Sequence, residues 1–309
     1  MQIVLITGGT GMIGKELTNQ LLQKGYQVIV LTRQLPENNS ILPNISYALW
    51  DVKNKTIDIG AVQKADHIIH LAGAGVVDKK WTEAYKKEIQ DSRTESSKLL
   101  VTALKNNTNK VKTVVSASAI GWYGADITPG ANPFVETDDA SDDFLGKTCK
   151  LWEQSITPVE AMQIRLVKLR TGIVLSNSGG ALAEFKKPVK LGIAGILGDG
   201  KQMVSWIHID DLCRMYIAAI ENENLSGVYN AVAPMPVSNK KLTIELAKQM
   251  NGQFFIPVHV PVFVLKIMMG TRSIEILKSN TVSCAKIQQT GFAFLYPEIE
   301  IALKQLCSK

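Results

Sequence analysis

The sequence predicts an α/β protein: a doubly wound parallel sheet followed by a smaller, mostly helical C-terminal lobe. Two observations carry that expectation. Short apolar runs alternate with longer amphipathic stretches as far as Arg170, and beyond it the rhythm breaks into glycine-rich and proline-containing segments. Strand–helix alternation at this spacing calls for right-handed crossovers and a parallel sheet with helices on both faces.

Five runs read as buried strands: Val4–Ile6, Val28–Leu31, Ile68–Leu71, Val111–Val115 and Ile164–Leu169. They are too short for helices and rich in β-branched residues, as strands covered on both faces are. Met12–Lys24, Thr82–Asn106 and Asp142–Glu160 are the helices between them. Past Arg170, Ser176-Asn177-Ser178-Gly179-Gly180 and Gly192–Gly200 read as loops. Ile209–Asn222 is helical again and Val228–Ala231 is a short strand. Ser238 suits the N-cap of a helix reaching Met250, and another helical run ends at Met269. The expected organisation is a nucleotide-binding domain over residues 1–170 that takes back 209–231, with a smaller substrate lobe made of 171–208 and 232–309.

Of the 309 residues, 46% are hydrophobic and 20% charged, enough apolar material for a sizeable core. The net charge of +6 is scattered, its densest runs being Lys79-Lys80, Lys86-Lys87 and Lys186-Lys187. Nucleic-acid proteins gather such charge on one stripe with aromatics between, so a small anionic ligand fits better than a nucleic acid. Cys149, Cys213, Cys284 and Cys307 form no close pair and no metal-type spacing, which suits reduced thiols in the cytoplasm. Asn38-Asn39-Ser40 and Asn106-Asn107-Thr108 match the glycosylation sequon, yet Met1 runs straight into a strand and leaves no room for a signal peptide. Ile256–Met269 is apolar but short, and Pro257, His259, Pro261 and Lys266 interrupt it, so no membrane partner is expected. Nothing in the sequence indicates an oligomer.

The most informative segment is the first turn. A strand at Ile3–Thr7 leads into Gly8-Gly9-Thr10-Gly11-Met12-Ile13-Gly14 and then a helix. Glycines at 8, 11 and 14 suit a tight turn, close approach of backbone to a pyrophosphate, and close helix–strand packing, which makes the sheet Rossmann-type. About 20 residues past such a turn, an NAD site places an acid against the ribose hydroxyls. Here the next strand ends on Thr32 and Arg33. A carboxylate would repel a 2′-phosphate whereas a guanidinium pairs with it, so NADP is the expected cofactor.

Ile6–Gly14 together with His70-Leu71-Ala72-Gly73 resembles the extended short-chain dehydrogenase/reductases, which include nucleotide-sugar epimerases. Ala72–Thr82 with Lys86–Arg93, Ser116–Gly124, Ser205–Leu212 and Gly291–Pro297 narrow the resemblance to the epimerase family proteins of YfcH type, which carry a small C-terminal domain. The resemblance implies that Gly8, Gly11, Met12, Ile13 and Gly14 form the pyrophosphate loop and that Thr32 and Arg33 meet the adenosine ribose. It implies an adenine contact for Asp51, which on its own reads equally as opening a turn. Leu71, Ala72 and Gly73 would lie along the cofactor. Ser116 and Ser118 fall where the superfamily ends a strand with catalytic hydroxyls, Ser118 matching the catalytic serine better, and Glu136 falls where a glutamate often faces the pocket.

One departure stands out. The superfamily uses Tyr-x-x-x-Lys, the tyrosine as acid/base and the lysine to lower its pKa and hold the nicotinamide ribose. Here Phe144 or Leu145 takes the tyrosine position and Thr148 or Cys149 the lysine position. Tyr123, with Lys147 or Lys150 on the neighbouring helix, could stand in, although a tyrosine in that place also serves as a rim residue bonded to backbone. Three functions stay open: an NADP(H)-dependent oxidoreductase or epimerase-like enzyme on a small, nucleotide-linked substrate; an NADP-binding sensor that has lost chemistry; and a flavin- or quinone-reductase-like activity needing no tyrosine acid. The remaining polar residues read as structural. His67 and His70 point to opposite faces of a strand and cannot share a metal. Asp210 or Asp211 caps a helix with His208 packed before it. Asp138-Asp139 with Asp142-Asp143 form a solvated acidic loop.

Overall fold

The computed structural model describes residues 1–36, 43–126, 128, 130 and 132–308, and the sequon at Asn38-Asn39-Ser40 lies outside them. The first half runs β1 (Ile3–Thr7), α1 (Met12–Gln23), β2 (Gln27–Thr32), β3 (Ile45–Asp51), β4 (Thr56–Ile57), α2 (Ile59–Lys64), β5 (His67–His70), α3 (Glu83–Asn106), β6 (Thr113–Ala119), α4 (Phe144–Ile156) and β7 (Arg165–Thr171). The second continues β8 (Ile173–Leu175), α5 (Ala181–Val189), β9 (Ile193–Leu197), β10 (Met203–Val204), β11 (Trp206–His208), α6 (Ile209–Glu221), β12 (Gly227–Ala231), β13 (Val237–Ser238) and α7 (Asn239–Asn251). It ends with β14 (Ile256–Val260), α8 (Val262–Met269), α9 (Ser273–Leu277), α10 (Ala285–Gln289) and α11 (Ile299–Cys307).

The main sheet has the order β12-β7-β6-β5-β1-β2-β3-β4. Every pairing in it is parallel except β3 with β4. Alternation along each strand loads both faces. Val4 and Ile6 join Leu17 and Leu21 of α1 and the apolar side of α6 in one core. Leu5, between them, joins Ala61, Val62, Leu99, Leu100 and Leu104 of α2 and α3 in the other. A third core gathers Leu175, Trp206, Leu242, Leu246 and Leu303 in the C-terminal part. The predicted fold class is what the chain adopts: a doubly wound parallel sheet with a helical C-terminal region.

β1 is the switch point, flanked by β2 on one side and β5 on the other. Loops leaving the carboxyl ends of β1 and β5 therefore diverge and open a crevice between them. Expected boundaries shift where local chemistry intervenes. Pro158 sits in a 3₁₀ turn over Thr157–Met162, so the helix expected to Glu160 ends at Ile156. β3 was not anticipated, because Tyr47 and Leu49 are exposed on it and no buried run marks the strand. Gly192–Gly200, read as a loop, contains β9 paired in parallel with β14; Gly192, Gly198 and Gly200 have positive φ and bound the strand. Among the described residues, no helix is long and apolar enough to cross a membrane. Cys149, Cys213 and Cys284 are buried, Cys307 is half-buried, and all four are free.

Candidate functional site

The turn after β1 is built around backbone that only glycine permits. Gly8 has φ +70°, and a Cβ there would lie 3.0 Å from the Leu71 carbonyl carbon and 3.1 Å from the Ala72 nitrogen. A Cβ on Gly14 would be 2.4 Å from the Gly8 oxygen, which fixes how closely α1 packs on the turn. Gly11 is the N-cap of α1 and offers no side-chain cap, and no acid occupies the first turn. The N–H groups of Met12, Ile13 and Gly14 have no acceptor within the helix, so with the helix dipole they suit an anion such as a dinucleotide pyrophosphate. The Met12 side chain reaches towards Gly180, where an added Cβ would lie 3.2 Å from its sulfur.

Thr7 joins the two diverging loops from below. Its hydroxyl accepts from the backbone N–H of Leu71 at 3.1 Å and of Ala72 at 3.2 Å, and lies 2.7 Å from His70 Nδ1. A hydroxyl already accepting twice donates to the imidazole. That assignment leaves the ring proton on Nε2, facing the Ser97 hydroxyl of α3 at 3.1 Å. Burial pushes the His70 imidazole down to about 4, so the ring is neutral near pH 7. His67 is also buried on β5, and its Nδ1 has no hydrogen-bond partner among the described residues. Among the described residues, no group of His, Cys, Asp and Glu is arranged to hold a metal.

At the end of β2, Thr32 donates its hydroxyl to the Gln34 carbonyl at 2.9 Å, and Arg33 is exposed. Asp51 ends β3 on the same edge, but its carboxylate accepts from Lys53 N, Asn54 N and Asn54 Nδ2 at 2.8–3.1 Å and closes the turn into β4.

Ser116 and Ser118 lie on β6, and both are buried. The Ser116 hydroxyl donates to the Ala117 carbonyl. Ser118 donates to Glu153 Oε1 at 2.7 Å. The Glu153 carboxylate is gripped by Arg170, at 2.8 Å from Nε and 3.1 Å from Nη2. Arg170 Nη1 donates to the Tyr123 hydroxyl at 3.0 Å, and Tyr123 donates to Asn230 Oδ1 at 2.6 Å. Burial pushes the Tyr123 hydroxyl up to about 12, against the pull of Arg170. Both candidate hydroxyls thus belong to one buried chain, Ser118–Glu153–Arg170–Tyr123–Asn230. Glu136, read as a pocket residue, accepts from Asn230 N at 2.8 Å and anchors the far end of that chain. Phe144 opens α4 and packs edge-on against Trp81, 5.0 Å between ring centroids. Lys147 and Lys150 are exposed on α4.

Two structural readings need correction. His208 itself caps α6, its Nδ1 accepting from Asp210 N at 3.1 Å, so neither aspartate is the N-cap. Asp211 is fully buried and accepts from Leu295 N, Tyr296 N and Arg214 at 2.8–2.9 Å. Asp143 is not part of a solvated loop: it caps α4 through Gly146 N and pairs with Lys278 at 2.9 Å.

Residues 4–150 match the NAD dependent epimerase/dehydratase family, and residues 260–306 match a domain of unknown function, DUF1731. An epimerase family protein of Staphylococcus saprophyticus is 36% identical over 308 residues, covering 99% of each chain. The chain belongs to the epimerase family. Human epimerase family protein SDR39U1 (isoform 2), solved with NADPH, is 28% identical with a TM-score of 0.85, covering 99% of both chains. A UDP-glucuronic acid 4-epimerase variant from Bacillus cereus, solved with UDP-4-deoxy-4-fluoro-glucuronic acid and NAD, has a TM-score of 0.79. It is 18% identical, covers 99% of this chain and 98% of that one, and shares the fold alone. Membership of the extended short-chain dehydrogenase/reductases, with the small C-terminal domain, therefore stands.

In this epimerase family member the distinctive sequence stretches touch one another. Ala74 N donates to Ser92 Oγ at 2.9 Å, and the Tyr85 hydroxyl donates to the Gly75 carbonyl, so Lys86–Arg93 and its helix hold the Ala72–Thr82 loop. Ser205–Leu212 holds Gly291–Pro297 through Asp211 and through stacking of His208 on Tyr296 at 3.8 Å. Glu153, Arg170 and Asn230 belong to no motif that marks them in the sequence. A signal existed for Arg170, an arginine ending an apolar strand run, since a charge there needs a buried partner.

Proposed function

We propose that the chain is an NADP(H)-binding, epimerase-like oxidoreductase acting on a small, nucleotide-linked substrate in the cytoplasm. The observation that carries this reading is the end of β2. The position of the usual acid holds Thr32, whose hydroxyl is turned into its own loop, and the next residue is the exposed Arg33. The glycine turn suits a dinucleotide, since Cβ atoms at Gly8 and Gly14 would collide with the backbone of Leu71, Ala72 and the turn itself, so only glycine lets the loop close this tightly at the N-terminus of α1. Gly8, Gly11, Met12, Ile13 and Gly14 would hold the pyrophosphate, and Arg33 the 2′-phosphate. Leu71, Ala72, Gly73 and Ser116 would line the crevice, with Asp51 at its adenine end. A bound nicotinamide would supply or accept hydride. Ser118 and Tyr123 are the hydroxyls we assign to the substrate carbonyl, each exchanging its present acceptor for substrate. The human relative solved with NADPH supports the cofactor choice.

Calorimetric titration tests it. NADPH should bind more tightly than NADH, and Arg33→Ala should remove most of the difference, about 1.5–3 kcal/mol for a lost charge-assisted pair. Equal affinities in the unaltered protein would overturn the assignment to NADP.

A second reading has its own support. Ser118 and Tyr123 both spend their protons on buried acceptors, and Tyr-x-x-x-Lys is missing from α4. This arrangement favours a dinucleotide-binding sensor with little turnover.

A further inference from the structure

Among the described residues, Arg93 is a cation without a counter-ion. Its guanidinium lies over the Trp152 ring, 5.0 Å from the centroid, and Nη1 donates to the Ile89 carbonyl at 2.8 Å. It also packs against Gly73, where an added Cβ would lie 3.1 Å from Arg93 Cγ and 3.2 Å from Cζ. No other hydrogen bond and no carboxylate partner engages it among the described residues. Desolvation holds its pKa below the ordinary arginine range.

The other partly or fully buried arginines have their partners. Arg170 grips Glu153 with two nitrogens, and Arg214 pairs with Asp211 at 2.8 Å. Arg165 has no carboxylate either, but its two terminal nitrogens donate to three carbonyls and the Thr113 hydroxyl at 2.7–3.2 Å. A guanidinium carries five N–H donors; Arg93 is half-buried, and the donors it does not spend on Ile89 remain available to an anionic ligand.

Its place in the fold says which ligand. Gly73 is on the loop leaving β5, beside the turn at Gly8. Trp152 lies one helical turn past Thr148, and Thr148 and Cys149 are the positions where the superfamily's lysine is missing. We propose that Arg93 is an anion-binding residue of this crevice, taking a carboxylate or phosphate oxyanion of the bound ligand in its fork and supplying the fixed positive charge that the absent lysine would have given. A planar guanidinium matches either group with two parallel hydrogen bonds. The proposal rests on reading the crevice as a dinucleotide and substrate site.

Arg93→Gln and Arg93→Lys test it. Affinities are measured for NADPH, and for oxalate and inorganic phosphate with and without saturating NADPH. An acidic substrate as the source predicts that Arg93→Gln weakens oxalate or phosphate at least tenfold and leaves NADPH binding unchanged. Arg93→Lys should fall between, keeping the charge but losing the fork. If NADPH binding drops tenfold and the small anions are unaffected, the oxyanion is the cofactor's own, and Arg93 keeps its role. A Gln or Lys variant with wild-type melting temperature and all affinities unchanged overturns the proposal. Titrations without NADPH keep this result separate from a failure of the cofactor reading.

Discussion

At the residue scale, His70 is the clearest case of a motif residue whose work is structural. It bonds at both ring nitrogens and ties β1, β5 and α3 together directly beneath the glycine turn. Its imidazole is held at about 4 against an ordinary 6.5. Between those values the unfolded chain binds a proton that the folded chain refuses, so acidification through that window costs stability and the penalty vanishes above it. A shift of that size amounts to about 3 kcal/mol. Urea unfolding should show stability falling from pH 6.5 to 4 more steeply in the unaltered protein than in His70→Gln. Identical slopes would mean that His70 is not the group responsible.

The two candidate hydroxyls separate on the same scale. Ser118→Ala leaves Glu153 still gripped by Arg170 through two nitrogens. Tyr123→Phe leaves Asn230 Oδ1 without its donor and Arg170 Nη1 without one of its acceptors. Unsatisfied buried groups cost about 1–3 kcal/mol. Denaturant midpoints should therefore fall for Tyr123→Phe and move much less for Ser118→Ala; the reverse order would break the network account. The family resemblance pointed to Ser118, at a strand end, and from there to Tyr123 just after it. It could not reach Glu153, 35 positions on, because the pairing depends on α4 folding back over β6.

At the scale of elements, legibility followed the strength of the local signal. Thr82 and Ser238 are the N-caps of α3 and α7, accepting from Tyr85 N and Lys241 N as short polar residues at such positions do. α6 was harder. Two aspartates follow His208, and cap statistics favour them, yet the imidazole takes the cap and frees Asp211 for the tail. That tail is a long-range contact, 84 residues away from Asp211 in sequence at Leu295, and no local pattern announces it. Removing one partner of such a buried charge costs about 3–5 kcal/mol. Asp211→Ala should lower stability by that order and expose the Leu295 and Tyr296 amides to rapid hydrogen exchange. Protected amides in a folded Asp211→Ala protein would contradict this account of how the C-terminal segment is held.

At the scale of the whole molecule, the fold was legible because a doubly wound sheet writes itself twice, as apolar runs and as a glycine turn at the switch point. The reaction was less legible, because chemistry depends on which hydroxyls are free once the chain has folded. Here the loops around the sheet are fastened to their neighbours: the Ala72–Thr82 loop to α3, the Gly124–Asp126 loop to Ser279 and Thr281, and the tail to α6. That frame leaves both candidate proton donors engaged. General acid/base catalysis contributes about 10²–10⁴-fold, and a site whose donors must first give up buried partners forfeits part of that. We therefore expect firm NADPH binding with slow or undetectable turnover of common nucleotide sugars. Where a substrate screen finds NADPH-dependent reduction, Tyr123→Phe and Ser118→Ala should each lower kcat while the NADPH Kd stays fixed. Brisk turnover indifferent to both changes would place the proton donor elsewhere, Lys147 and Lys150 being the next to test. No turnover on any carbonyl, beside a partner protein whose binding follows NADPH occupancy, would decide for the sensor.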